Sequence, residues 1–164
     1  MPFSQPSAPS SPPSPHHPAS AMLLSEHFTY EELTKSATAT RLHIANAPYT
    51  DELHCLKKLC TTILEPIREK YGRPIIVTSG YRCRQLNSAI HGARESDHIY
   101  GCAADIRTIP DTKAENKKLF NLISRMIQDD EIRVKKLIDE HDYDWIHISM
   151  QDGRSSKLNQ ILHL

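Results

Sequence analysis

The chain has 164 residues, which is enough for one domain with one hydrophobic core and leaves little room for a second. Lysine plus arginine and aspartate plus glutamate balance at 20 each, which argues against nucleic acid as the main partner, because phosphate binding needs a basic surplus. The sequence has no apolar run of the roughly 18–20 residues that a membrane span needs.

The first part of the chain differs in composition from the rest. Residues 1–21 are rich in proline, serine and alanine, and we predict a disordered tail there because such a segment buries too little apolar surface to order itself. A single domain follows over residues 22–164, and Met22 is a candidate for the natural start. No signal peptide is recognised, so we expect synthesis in the cytoplasm and four reduced cysteines, which form no CxxC pair.

The first half of the domain is predicted to be mainly helical. Thr29 and Glu32 fit a capping box that begins a short helix, and a loop follows over residues 38–47. A longer amphipathic helix, capped by Thr50, is predicted over 51–70, with Pro66 bending or breaking its last turn.

In the second half, helices and strands occur in separated groups. A β-branched run predicts a buried strand over 74–78, and the acidic segment 139–144 predicts a turn between two later strands. Short, hairpin-like links of this kind indicate an α+β domain, with a central, mostly antiparallel sheet flanked by helices. The remaining elements are helices at 84–91 and 112–129 and strands at 103–107, 137–138, 145–149 and, at the edge, 161–162.

Two histidines and an aspartate lie where one sheet face can bring them together. Asp105 shares a strand face with Ala103, and His98, from the preceding loop, can fold over that face. His147 occupies the polar face of a strand whose other face carries Ile146 and Ile148. Two imidazoles and one carboxylate, with a fourth position left to water, are typical of a catalytic zinc site. A surface role is the plainer interpretation of each residue alone.

Further polar residues near these positions are candidates for acid–base chemistry and substrate binding. Asp144 precedes His147 by three residues and can act as general base from a turn, with His141 and Asp142 as competitors. Arg82 follows a buried strand and could bind an oxyanion or form a structural salt bridge. Ser96 could contact substrate or cap its loop. A serine hydrolase built on Ser96 is disfavoured, because no nucleophile elbow accompanies it.

Three motifs together resemble the M15 zinc peptidases, with the closest likeness to the short M15 domains of phages and prophages. The resemblance covers about residues 22–150. It rests on Ser79-Gly80-Tyr81-Arg82, on Ser96-x-His98-x-x-Gly101-x-Ala103-x-Asp105, and on Asp144-Trp145-x-His147.

The resemblance implies a role for each matching residue. His98, Asp105 and His147 would bind Zn²⁺, Asp144 would be the general base and Arg82 would polarise the substrate carbonyl. Substrate contact is assigned to Ser96 and Tyr81. The implied fold is that of the hedgehog and D-Ala-D-Ala peptidase domains. Asp97 departs from the neutral residue common in phage relatives, and Asp144 is shorter than the glutamate of some relatives.

The resemblance implies a zinc metallopeptidase that cuts peptide bonds of bacterial peptidoglycan, as a D,D-carboxypeptidase or an endopeptidase, and that could serve as a phage or prophage lysin. Such a protein would act at the cell wall or in the periplasm once released. We expect a monomer with no membrane span and no nucleic-acid partner. The alternative is a non-catalytic module of the same fold that binds cell wall or a phage tail.

Overall fold

The computed structural model describes residues 21–164, so all but the last residue of the predicted tail lies outside the described part. One five-stranded sheet forms its centre, in the order β1–β2–β4–β3–β5. Every neighbouring pair is antiparallel except β3 and β5, which run parallel, and the predicted α+β class is confirmed. The strands are β1 (Ile75–Ser79), β2 (Ala103–Thr108), β3 (Lys136–Glu140), β4 (Trp145–Ser149) and β5 (Gln160–His163).

Within residues 21–164, six α-helices, one π-helical segment and one 3₁₀-helix accompany the sheet. None of the helices in the described range 21–164 is long and apolar enough to cross a membrane. The α-helices are α1 (Tyr30–Thr34), α2 (Ala37–Arg41), α3 (Thr50–Leu59), α4 (Glu65–Tyr71), α5 (Arg84–Ala89) and α6 (Lys113–Gln128). The other two are a π-helical segment at Cys60–Leu64 and a 3₁₀-helix at Asp97–Tyr100.

Local chemistry accounts for several boundaries. The capping box of Thr29 and Glu32 is present at the start of α1, as predicted. The cap predicted at Thr50 is wrong, because Tyr49 occupies the N-cap position of α3 without a side-chain hydrogen bond. Most of α2, which is capped by Ser36, lies within the loop predicted over 38–47. The sequence signals missed this cap because no long apolar stripe follows it.

The long helix does not break at Pro66. Proline has no N–H to donate to a carbonyl four residues earlier, so the regular α-helical pattern cannot pass through it unchanged. The helix widens into the π-helical segment, which ends two residues before Pro66, and continues as α4 to Tyr71. The hydroxyl of Thr62 also donates to the carbonyl of Lys58 at 2.7 Å.

One face of the sheet carries the hydrophobic core. Ile106, Ile146 and Ile148 are fully buried, and they alternate along β2 and β4 with the residues of the opposite face. Helix α6 packs against β2, β3 and β4 and buries Leu119 and Ile123 in the same cluster. Because this face is sealed by helices, functional side chains are left to the other face of the sheet.

The opposite face brings the predicted metal ligands together. Residues directly opposite one another on antiparallel strands lie on the same side of the sheet. Asp105 on β2 is paired with His147 on β4 and, across the other edge, with Ser79 at the end of β1. The register therefore places Asp105 at the middle of a row that runs from Ser79 to His147.

Candidate metal centre

A short 3₁₀-helix presents His98 to this face. Ser96 occupies its N-cap position and its hydroxyl accepts from the backbone N–H of His98 at 3.4 Å. Gly101 ends the turn in the left-handed conformation, at φ 71°. The backbone then enters β2, so a tight turn, where a loop was predicted, separates His98 from Asp105.

Gly101 is required because its backbone is left-handed and because it lies close to the backbone of α3. Substitutions can separate these two effects. A Cβ there would lie 2.4 Å from the carbonyl oxygen of Glu52, whereas one at Gly153, at φ 84°, would meet nothing within 4 Å. We expect Gly153→Ala to cost about 1–2 kcal/mol of unfolding free energy through left-handed strain alone. Gly101→Ala should cost clearly more, since α3 must also shift. Urea unfolding of the metal-free proteins measures both, and equal losses would contradict this assignment.

His98, Asp105 and His147 converge on one point. Their nearest ligand atoms all lie within 4.8 Å of one another. The Oδ1 atom of Asp105 is 3.2 Å from Nε2 of His98 and 3.0 Å from Nδ1 of His147. His98 is 2% exposed and Asp105 8% exposed, so the cluster is held in a nearly dry environment.

A hydrogen bond of the His98 ring determines which of its two nitrogens presents a lone pair to the cluster. Its Nδ1 is 2.6 Å from the carbonyl oxygen of Gly80, and because a carbonyl can only accept, Nδ1 carries the hydrogen. In the neutral ring Nε2 is then an acceptor, and it has no hydrogen-bond partner among residues 21–164. A cation bound by both atoms would remove the repulsion between this lone pair and the Asp105 oxygen 3.2 Å away.

The charge states of these groups suit a metal ion. Burial lowers the pKa of His98, which keeps its ring neutral. Burial alone would raise the pKa of Asp105, but positive charge at His98 and His147 holds that pKa well below its usual range, and a bound cation would supply such charge in place of ring protons. A neutral imidazole and an ionised carboxylate are the states in which these side chains bind metals. The donor set therefore fits a divalent ion.

Arg82 contacts the cluster from the β1 side. Its guanidinium donates to Oδ2 of Asp105 at 3.2 Å and to the hydroxyl of Ser79 at 3.0 Å, and its side chain is 14% exposed. This contact occupies one carboxylate oxygen and leaves Oδ1 to the two histidines. Arg82 thus orients the carboxylate of Asp105, as groups around a metal site commonly orient its ligands. Its predicted contact with substrate stays a prediction.

Asp144 lies on the turn between β3 and β4, immediately before Trp145, and its side chain is exposed. The three residues before it, His141, Asp142 and Tyr143, all have positive φ, between 52° and 63°. Such left-handed residues cost about 1–2 kcal/mol each, so the turn must be held by its surroundings.

Asn116 of α6 provides that support. It is buried, and its amide donates to the carbonyls of Tyr143 at 3.0 Å and of Asp144 at 3.3 Å. Its Oδ1 accepts from the backbone N–H of Thr108 at 2.9 Å, which ties the turn to the end of β2. No sequence signal had indicated Asn116, because a lone asparagine within an amphipathic helix carries no motif.

The two residues predicted to contact substrate lie in different settings. Ser96 is half-buried and caps the 3₁₀-helix, which is one of the two roles considered for it. Tyr81 is 5% exposed and belongs to the hydrophobic core, where burial raises the pKa of its hydroxyl to about 12. Substrate contact by either residue stays a prediction.

Fold and site together define a small α+β domain with a candidate centre for a divalent metal. The sequence profile of the family described as Peptidase M15 matches residues 26–149, well over half of the chain. The chain belongs to this family of zinc peptidases. No curated protein matches the sequence.

Proposed function

We propose that the protein is a zinc-dependent peptidase that hydrolyses peptide bonds of bacterial peptidoglycan. The observation that carries this proposal is the convergence of His98, Asp105 and His147, with an acceptor nitrogen of His98 aimed at the carboxylate. Membership of the M15 family supports a hydrolase of this class. A Zn²⁺ ion held by these three residues would polarise the substrate carbonyl and lower the pKa of a bound water toward about 7.

The chain's own side chains supply the remaining chemistry. Asp144, at the start of β4, takes a proton from the attacking water and returns it to the leaving amine. Its exposed position on a strained turn held by Asn116 is compatible with this role, because the carboxylate remains free to meet water and substrate. Asp142 and His141 lie on the same turn and are the alternatives for the base.

In this proposal Arg82 has one role before substrate binds and another during the reaction. In the absence of substrate its guanidinium holds Oδ2 of Asp105. Its side chain is 14% exposed and lies on the site face, so it can also stabilise the negative charge that develops on the carbonyl oxygen. An arginine suits this double task, because its planar group presents five N–H donors.

Digestion of purified peptidoglycan tests the proposed function. Zinc-loaded protein, chelated protein and chelated protein with zinc restored are each incubated with the polymer, and the soluble products are identified by mass spectrometry. We expect new muropeptides that disappear on chelation and return with zinc, and their masses would distinguish carboxypeptidase from endopeptidase cleavage. Protein that holds one zinc and releases no product would favour a non-catalytic wall-binding module.

A further inference from the structure

A second charged cluster lies directly beside the metal centre. Asp97 precedes the ligand His98 and is 6% exposed. Its Oδ1 accepts from Nζ of Lys135 at 2.6 Å and from Nη2 of Arg154 at 3.1 Å. The carboxylate of Asp97, next to His98, is therefore paired with two cationic side chains.

Lys135 is an unusual partner, since its side chain is only 9% exposed. Burial of a lysine and an aspartate costs several kcal/mol of desolvation for each ion, so such a pair is weak evidence for added stability. The effect of this ion pair on the position of Asp97 is better defined. The backbone N–H of Lys135 donates to Ser149 at 2.7 Å and its carbonyl accepts from Gln160 at 3.1 Å. Asp97 is thereby joined to a residue whose backbone is hydrogen-bonded to both β4 and β5.

Arg154 fastens the other end of the same 3₁₀-helix. Its guanidinium carbon lies 3.4 Å from the centre of the Tyr100 ring, within the range of a cation–π contact, while the same group binds Asp97 and Asp152. Arg154 and Asp152 follow residue 149, where the match to the family profile ends. The segment after β4 thus contributes a contact that the family match does not contain.

We propose that Asp97, held by Lys135 and Arg154, is a positioning residue that fixes His98 for metal binding. The turn of four residues is fastened on two sides: His98 is bonded to the carbonyl of Gly80, and Asp97 to Lys135. Both contacts restrain the turn and thereby limit the positions that Nε2 of His98 can take relative to Asp105 and His147. This inference rests on the proposed metal centre and adds to it the groups that set its geometry.

Zinc affinity and the cobalt spectrum of Asp97→Asn test the inference. Zn²⁺ affinity is measured by competition with a chromophoric chelator, and Co²⁺ absorption reports ligand geometry without any peptidase assay. We expect about 10–100-fold weaker zinc binding, the usual effect of losing a group that orients a metal ligand. The Co²⁺ bands should shift as well. Lys135→Arg, which keeps the charge, should bind zinc more tightly than Lys135→Met.

A matched control separates positioning from general stability. Glu65 on α4 accepts from the hydroxyl of Ser25 and the backbone N–H of His27, each at 2.6 Å, and touches none of the three ligands. Glu65→Gln should lower the urea midpoint and leave zinc affinity unchanged. If Asp97→Asn fails to fold, Arg154→Gln removes the more exposed partner of the same carboxylate and should still weaken zinc binding.

The possible outcomes distinguish this inference from the proposed function. The positioning role would be overturned, and the metal centre left intact, if Asp97→Asn kept wild-type zinc affinity and an unchanged Co²⁺ spectrum. If only Arg154→Gln folds, the same result in that variant would have the same meaning. A wild-type protein that binds neither Zn²⁺ nor Co²⁺ would overturn both. Weaker zinc binding in Asp97→Asn but not in Glu65→Gln would support the positioning role even if no peptidoglycan product were found.

Discussion

His147→Ala is expected to release the metal and to abolish hydrolysis. In the proposed site His147 supplies one of three protein ligands, and two ligands alone would leave the ion poorly held. The loss of zinc affinity should exceed the roughly 10–100-fold that follows removal of a group outside the ligand set. Because metal polarisation contributes several kcal/mol, hydrolysis should fall by at least about 10³-fold.

Metal content and muropeptide release, measured on the same preparation, check this prediction. His54→Ala is a suitable control, since His54 is an exposed residue of α3 and alanine favours a helix. The control should retain one zinc and full activity. A His147→Ala protein with one tightly bound zinc and normal turnover would remove His147 from the ligand set.

Asp144→Asn is expected to separate metal binding from catalysis. The amide keeps the size of the side chain but cannot accept a proton, so turnover should fall by about 10²–10⁴-fold, the usual contribution of a general base. Zinc content and the urea midpoint should remain at the wild-type values, because Asp144 is exposed and its backbone carbonyl makes the contact with Asn116.

The neighbouring residues of the turn are the controls for this second variant. Asp142→Asn and His141→Gln change exposed side chains at positions that share the same left-handed backbone. We expect both to retain most of their activity. An active Asp144→Asn protein together with an inactive Asp142→Asn or His141→Gln protein would transfer the role of base to that residue.

The site face of the sheet could be predicted from local patterns. The alternation Trp145, Ile146, His147, Ile148 sends His147 away from the core, and burial along β4 confirms it. The short residues after Gly101 predicted a strand that carries Asp105, and β2 is that strand. These predictions succeeded because a period of two residues is a property of the strand itself.

Contacts between distant segments could not be predicted in the same way. Lys135 is an ordinary lysine in the sequence, and only the register of β3, β4 and β5 buries it against Asp97. The bond from Arg82 to Asp105 likewise depends on how β1 ends beside β2. Charge and spacing along the chain do not encode such pairs.

Some predicted boundaries of helices and strands were wrong for a different reason. Asp139 and Glu140 were assigned to an acidic turn, but both extend β3. Asp139 lies on the core face opposite Ile146 and is buried beside His163. A carboxylate within a strand contradicts the usual polar-turn signal, and here a ring nitrogen of His163 on β5 forms a hydrogen bond with it. Tertiary contacts thus override local propensity.

The proposed peptidase chemistry requires one metal ion held by His98, Asp105 and His147. Anomalous diffraction at the zinc absorption edge, from crystals of zinc-loaded protein, tests that point most directly. We expect one strong peak about 2.0–2.2 Å from a ring nitrogen of each histidine and from an oxygen of Asp105. A peak at other residues, with these three side chains left without metal, would contradict the assignment.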